Sequence, residues 1–386
     1  MIYSLASNSW NWREKLAILK VMAKGQYTMG EYVRKFEDEF AKKIGSRNAI
    51  MVNSGSSANL VMLSALVEGP YDLQPGDEVI VPAVSWSTTY FPLTQLGLIP
   101  VFIDVDANYN IDVISVRKAI TCRTRAVFAV NLLGMPANLD VLRDLCKSNK
   151  IILIEDNCES YGATLNDKQA GTFGIAGTFS FFFSHHLQTM EGGMIVTDDD
   201  VLADYMRSIR AHGWVRDLRT NVLYQKTGDS FEDSFKFILP GYCLRPLEMS
   251  GAIGSVQLKK MDKFISYRRK NAKIFECEFS GYYRQIETNG LRSSWFGFAI
   301  VLPYQHSGRR KDVVDALKAE GIETRPIVTG NFVNQPVIRR FQHKIFGDLT
   351  NAERLDKDGF FLGNDHRNLG NKIKHARQLI DRTLST

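Results

Sequence analysis

The sequence predicts an α/β protein built on a mostly parallel sheet, followed by a smaller α+β unit. Three observations carry this reading. Short apolar runs of strand length alternate with stretches of helical periodicity through the first 240 residues. The chain has 386 residues, more than one ordinary hydrophobic core organises. Pro240-Gly241 then breaks the pattern, and the texture changes after it. A large domain over 1–240 and a small one over 241–386 are therefore expected.

Taken in order, Glu31–Ile44 reads as an amphipathic helix, because Val33, Phe36, Phe40 and Ile44 recur at helical spacing and Gly45 follows. Strands are expected at Ala49–Val52, Glu78–Pro82, Ile99–Ile103, Ala126–Val130, Ile151–Ile154, Thr178–Phe183 and Met194–Val196. Helices are expected between them at Ala58–Val67, Asp112–Ile120 and Leu139–Ser148. After the break come a helix over Leu247–Asp262, a mixed region through Phe296–Leu302 and Gly321–Pro326, and a helical C-terminus. In sheets of this kind ligands sit beyond the carboxyl ends of the strands, so the loops there hold the candidate residues.

Composition narrows the function classes. With 44% hydrophobic and 23% charged residues the chain is an ordinary globular one, and no apolar run has the length of a membrane span. The first residues lack the pattern of a secretory leader, so a soluble cytoplasmic protein is expected. The net charge of +6 is scattered, which argues against a nucleic-acid partner and suits an anionic small molecule. Five widely spaced cysteines without a CxxC pair argue against a disulfide framework or a zinc ribbon. The glycine fingerprints of dinucleotide and ATP sites are absent.

Three segments carry chemistry. Asn53-Ser54-Gly55-Ser56-Ser57-Ala58-Asn59 runs from a strand into a helix, where free amides and hydroxyls make an anion site; the same serines also suit a plain N-cap. Glu155-Asp156-Asn157-Cys158-Glu159 follows a buried strand. A carboxylate there is costly unless paired, and a protonated pyridine nitrogen is an apt partner, although a capping Asp fits as well. Ser180 to Gly193 holds the adjacent pair His185-His186. Neighbours in sequence point apart and lack zinc spacing, so no metal site is expected, and a hydrogen-bonded core His stays open.

In this order the segments resemble the DegT/DnrJ/EryC1/StrS sugar aminotransferases, over nearly the whole chain. Thr28-Met29-Gly30-Glu31, Pro75–Pro82, Leu133-Gly134-Met135-Pro136-Ala137, Glu191-Gly192-Gly193 and Arg245-Pro246-Leu247-Glu248 extend the match. The resemblance implies the aspartate-aminotransferase fold (fold type I) and pyridoxal 5′-phosphate. It implies that Ser56, Ser57 and the amides beside them, Gly55 included, hold the phosphate with Ser180 helping, that Ser184 also belongs to the cofactor site, that Trp86 stacks on the ring, that Asp156 pairs with the ring nitrogen, and that Glu159 contacts the ring hydroxyl.

One departure decides the branch. The family's Schiff-base lysine stands six residues before Glu-Gly-Gly; here that residue is His185, and no lysine occurs between Lys168 and Lys226. Imidazole cannot hold the cofactor covalently but is a competent base. The exchange resembles the family's nucleotide-sugar 3-dehydratases, in which the cofactor is noncovalent and works as pyridoxamine 5′-phosphate. One subgroup uses a [2Fe–2S] cluster held by four cysteines; only Cys243 and Cys277 follow His185, so no cluster is expected. The match in Ser184-His185-His186, Thr324-Arg325-Pro326-Ile327-Val328 and Gly330-Asn331-Phe332 resembles the iron-free subgroup. That resemblance implies GDP-4-keto-6-deoxy-D-mannose as substrate, L-glutamate as amine donor, ammonia release, and a homodimer with its site at the interface. Arg245, Arg325 and Asn331 are candidates for the nucleotide sugar, and Cys243 stands where the family commonly has Asn. A sugar 4-aminotransferase and a noncatalytic nucleotide-sugar-binding protein are the alternatives.

Overall fold

The structure is a computed structural model that describes residues 2–225, 227–288 and 290–386. Its strands, in chain order, are β1 (Asn48–Val52), β2 (Glu78–Pro82), β3 (Ile99–Ile103), β4 (Thr124–Val130), β5 (Ile152–Asp156), β6 (Thr164–Leu165), β7 (Lys168–Gln169), β8 (Ala176–Ser180) and β9 (Gly193–Thr197), then β10 (Leu291–Arg292), β11 (Gly297–Val301), β12 (Thr324–Arg325), β13 (Lys344–Ile345) and β14 (Gly359–Gly363). The large sheet has the order β1-β9-β8-β5-β4-β2-β3-β13. Its central pairs are parallel, and β9 runs antiparallel to both β1 and β8.

The unbroken apolar character of these strands follows from burial on both faces. Val79 and Val81 of β2 enter one core with Phe128 and Ile154, while Ile80 between them enters the opposite core with Val127 and Leu153. The helix Gly55–Glu68 lies in the first core and is buried along most of its length, which explains why its sequence shows little amphipathic contrast. At the β1 end the predicted helix Glu31–Ile44 brings Phe36 and Phe40 against Phe179 and Phe181, with Phe40 ring centroids 5.2 Å and 5.5 Å from theirs. Each such buried ring stabilises the fold by about 1.5–3 kcal/mol.

A second sheet, β11-β14-β12, is covered by the helices Met261–Glu278 and Gly370–Ser385 and includes Tyr3 in its core. β6, β7 and β10 form a third, small sheet. Two expectations are corrected. The strand expected over Thr178–Phe183 ends at Ser180, because β9 stops pairing there and Phe181–Phe183 turn into a loop. The single helix expected over Leu247–Asp262 is two, Glu248–Leu258 and Met261–Glu278, separated at Lys259-Lys260. A helix at Trp12–Lys24, with an Asn11/Glu14 capping box, went unread in the sequence. Among the described residues no helix is long and apolar enough to cross a membrane, and no group of three His, Cys, Asp or Glu gathers as a metal set.

Candidate active site

A cavity of about 390 Å³ opens where the parallel strands end, lined by residues that follow β1, β2, β4, β5 and β8. The sequence candidates Gly55, Ser56, Trp86, Asp156, Glu159, Ser180, Ser184, His185 and Arg325 all line it. Three others do not. Ser57 is turned back, its Oγ 2.9 Å from Ser54 Oγ and its N–H donating to that same oxygen. Asn331 caps the short turn Phe332–Asn334 and donates to Glu353, and Arg245 lies over the Trp214 ring near Cys243.

The polar end of the cavity is the N-terminus of helix Gly55–Glu68. Ser54 caps it, and the amides of Gly55 and Ser56 are among those that no helical carbonyl can reach, so they are available to an anion. Gly55 is needed for this approach: a Cβ there would lie 2.6 Å from Ser180 Cβ and 3.0 Å from Cys158 Sγ. Ser56 Oγ donates to Thr88 Oγ1, which adds a second hydroxyl to the rim.

Deeper in, Asp156 ends β5 and is almost fully buried. Its Oδ2 accepts from Asn59 Nδ2 (2.9 Å) and Thr89 Oγ1 (2.8 Å), and its Oδ1 accepts from the Cys158 amide. Thr178 Oγ1 donates in turn to Asn59 Oδ1, which fixes which end of that amide meets the carboxylate. Such a held carboxylate suits a cationic N–H partner in the cavity. Glu159 Oε2 accepts from the Leu133 amide (2.9 Å), and burial together with nearby Asp156 pushes its carboxyl up to about 7. Trp86, 57% exposed, stands at the mouth just before the helix Ser87–Gln95. Anion cradle, buried acid and aromatic face together fit a phosphorylated, protonated aromatic ring.

His185 completes the wall. Its Nδ1 lies 2.7 Å from the Cys158 carbonyl oxygen, which can only accept, so Nδ1 carries the proton and Nε2 is the basic atom. Burial, and secondarily Arg268, hold its conjugate acid down to about 4, so the ring is neutral at pH 7. His186 is buried away from the cavity, its Nε2 3.2 Å from the Ser294 carbonyl. The cavity lining contains no lysine among the described residues.

Sequence reasoning missed several members of this site. Asn59 was part of a singled-out segment but without a role, and Thr89 lies one helical turn beyond Trp86; both hold Asp156, and the helical spacing was an available signal. Phe296, Val328 and Phe361 close the apolar side from the second sheet or the turns beside it, and local sequence gives no hint of that approach.

Sheet order, strand-end cavity and buried acid define an α/β enzyme of the aminotransferase fold. The chain belongs to the DegT/DnrJ/EryC1/StrS aminotransferase family, whose model matches residues 10–375. It is 50% identical to GDP-4-keto-6-deoxy-D-mannose 3-dehydratase of Escherichia coli O55:H7 over 385 residues, 98% of this chain and 99% of the relative. The crystal structure of a GDP-4-keto-6-deoxymannose-3-dehydratase with a trapped PLP-glutamate geminal diamine superposes with a TM-score of 0.95 at 50% identity, over 98% of this chain and all of that one. A histidine-to-asparagine mutant of GDP-4-keto-6-deoxymannose-3-dehydratase with bound GDP-perosamine superposes equally well, with TM-score, identity and coverage the same.

Proposed function

We propose that this enzyme removes the C3 hydroxyl of GDP-4-keto-6-deoxy-D-mannose, with L-glutamate as amine donor and release of ammonia, to give a 4-keto-3,6-dideoxy nucleotide sugar for O-antigen deoxysugar biosynthesis. The observation that carries the reading is His185: a neutral imidazole of defined tautomer on the cavity wall, where the family's aminotransferases carry lysine.

Pyridoxal 5′-phosphate, bound noncovalently and used as pyridoxamine 5′-phosphate, supplies an electron-withdrawing ring that stabilises negative charge on its C4′ carbon. The residues divide the remaining work. The Gly55 and Ser56 amides, with the Ser56, Ser180 and Ser184 hydroxyls, hold the phosphate. Asp156, kept in place by Asn59 and Thr89, would hold the proton on the ring nitrogen. Trp86 would cover one ring face, and Glu159 would meet the ring hydroxyl, both being on the cavity lining.

His185 Nε2 is the atom that would take a proton from the bound cofactor's C4′ carbon, and the imidazolium so formed would be acidic enough to protonate the departing C3 hydroxyl. Imidazole cannot take up the covalent role of an amine, which favours elimination over amine transfer. Only Cys243 and Cys277 follow His185, and both are exposed, which supports a reading without an iron–sulfur cluster. A homodimer is part of the proposal. Trp12, Leu16, Leu19 and Met22 form an exposed apolar stripe on one helix, consistent with a covered face. Arg325 on the cavity wall is the member of the candidate set best placed for the nucleotide sugar.

The test is His185→Asn. Dehydration is expected to disappear while the cofactor's bound absorbance persists; full activity in this variant refutes the assignment.

A further inference from the structure

Between β10 and β11 the chain crosses from the third sheet to the second as a strap, Ser293–Phe296, with no regular structure. Its backbone is nonetheless fully hydrogen-bonded. The Ser294 and Phe296 amides donate to the Gly134 and Leu133 carbonyls, the Ser293 amide to Glu287, and the Trp295 amide to Ser293 Oγ. The Ser293 carbonyl accepts from Arg269, and the Trp295 and Phe296 carbonyls accept from buried Arg268. The strap lies flush on the turn at Gly134, where φ is +93° and a Cβ would stand 2.5 Å from the Trp295 nitrogen. Trp295 itself is held at φ +51°, a conformation that persists only when the surroundings impose it.

The remaining carbonyl, of Ser294, belongs to His186. Burial and Arg268 hold the His186 conjugate acid far below the usual range, so the ring is neutral, and Nε2 carries the proton that the carbonyl accepts. The two neighbouring histidines therefore hold opposite tautomers. Phe296, at the end of the strap, stands edge-on to His185 with ring centroids 5.1 Å apart at 71°, and its centroid is 5.7 Å from that of His186.

We infer that His186 is a positioning residue for the base: it fastens the strap through the Ser294 carbonyl, and the strap holds Phe296 against the His185 ring, fixing its orientation and keeping water from that face. This rests on His185 being the base of the reaction proposed above. The ionisable groups around the His185 ring are Asp156, Cys158 and Glu159 on β5 and its following turn, Arg268, His186, and Glu191 and Arg325 across the cavity. Removing Phe296 leaves all of these in place and admits water, so the His185 conjugate acid rises toward its ordinary value.

The experiment is NMR titration of the His185 ring in cofactor-free protein, with Phe296→Ala, His186→Leu and His186→Gln, beside kcat and KM against pH in the holoenzyme. Phe296→Ala and His186→Leu are expected to raise the titration midpoint by one pH unit or more. Because the ring then loses its fixed orientation, they are also expected to lower kcat about 10-fold, although the imidazole becomes the stronger base, with KM within about 2-fold. His186→Gln keeps an N–H for the Ser294 carbonyl and stays within about 3-fold of the parent. His186→Asn, too short to reach that carbonyl, replaces His186→Leu if the latter does not fold. An unmoved titration and unchanged kcat in Phe296→Ala and His186→Leu overturn the inference. Failure of the underlying reading is distinct, because it shows as dehydration activity in His185→Asn.

Discussion

Protonating His185 costs this fold stability, and the cost is measurable without cofactor or substrate. The ring is half-buried against Phe296 with its Nδ1–H committed to the Cys158 carbonyl, and its conjugate acid is held down to about 4 from the ordinary 6.5. A histidine whose folded value lies below its unfolded one binds protons less readily in the folded state. Its contribution is neutral above pH 6.5 and becomes a loss as pH falls toward 4. Linkage between those two values puts the cost at about 2 kcal/mol at pH 5 and about 0.2 kcal/mol at pH 7. His185→Asn removes this ionisation while leaving a side-chain N–H for the Cys158 carbonyl. Urea unfolding of the cofactor-free parent and variant at both pH values isolates the term, since buried His186 is common to the two proteins and cancels. The parent is expected to lose about 1.8 kcal/mol more than the variant between pH 7 and pH 5. Equal pH dependence in the two proteins refutes the argument for a desolvated, neutral base.

Glu159 gives the opposite sign. Its carboxyl is pushed up to about 7 by burial and by Asp156, so stability falls as pH rises from the ordinary 4.5 through 7. Thermal unfolding at pH 5 and pH 8 is expected to show that Glu159→Gln, which can still accept from the Leu133 amide, removes about 2–3 kcal/mol of that loss. Gly55→Ala forces a Cβ to within 2.6 Å of Ser180 Cβ, and is expected to cost about 1–3 kcal/mol by denaturant melt and to weaken pyridoxal phosphate binding about 10-fold by absorbance titration.

The parallel sheet was legible because its strands are buried on both faces: β2 and β3 appear in the sequence with the same bounds as in the structure, each a mostly apolar run of strand length. Strand ends then placed Ser56, Trp86, Asp156, Ser180 and His185 around one cavity. What the sequence could not supply lies in contacts between distant segments. The run Phe181–Phe183 has strand character, yet it leaves the sheet because its neighbour β9 ends opposite Ser180. Asn331 reads like a polar cavity residue, but Glu353 draws its side chain into a buried turn. The tautomer of His185 depends on the Cys158 carbonyl 27 residues away, and the hold on His186 depends on Ser294, 108 residues away. Neither relation leaves a periodic trace.

The central claim is that a neutral imidazole in place of lysine makes this aminotransferase scaffold a 3-dehydratase. Incubation of the protein with pyridoxal phosphate, L-glutamate and GDP-4-keto-6-deoxymannose, followed by mass spectrometry of the nucleotide sugar, tests it most directly. A product lighter by one oxygen, with ammonia released, is the predicted result. A product carrying an amine in place of the C4 ketone would contradict the account.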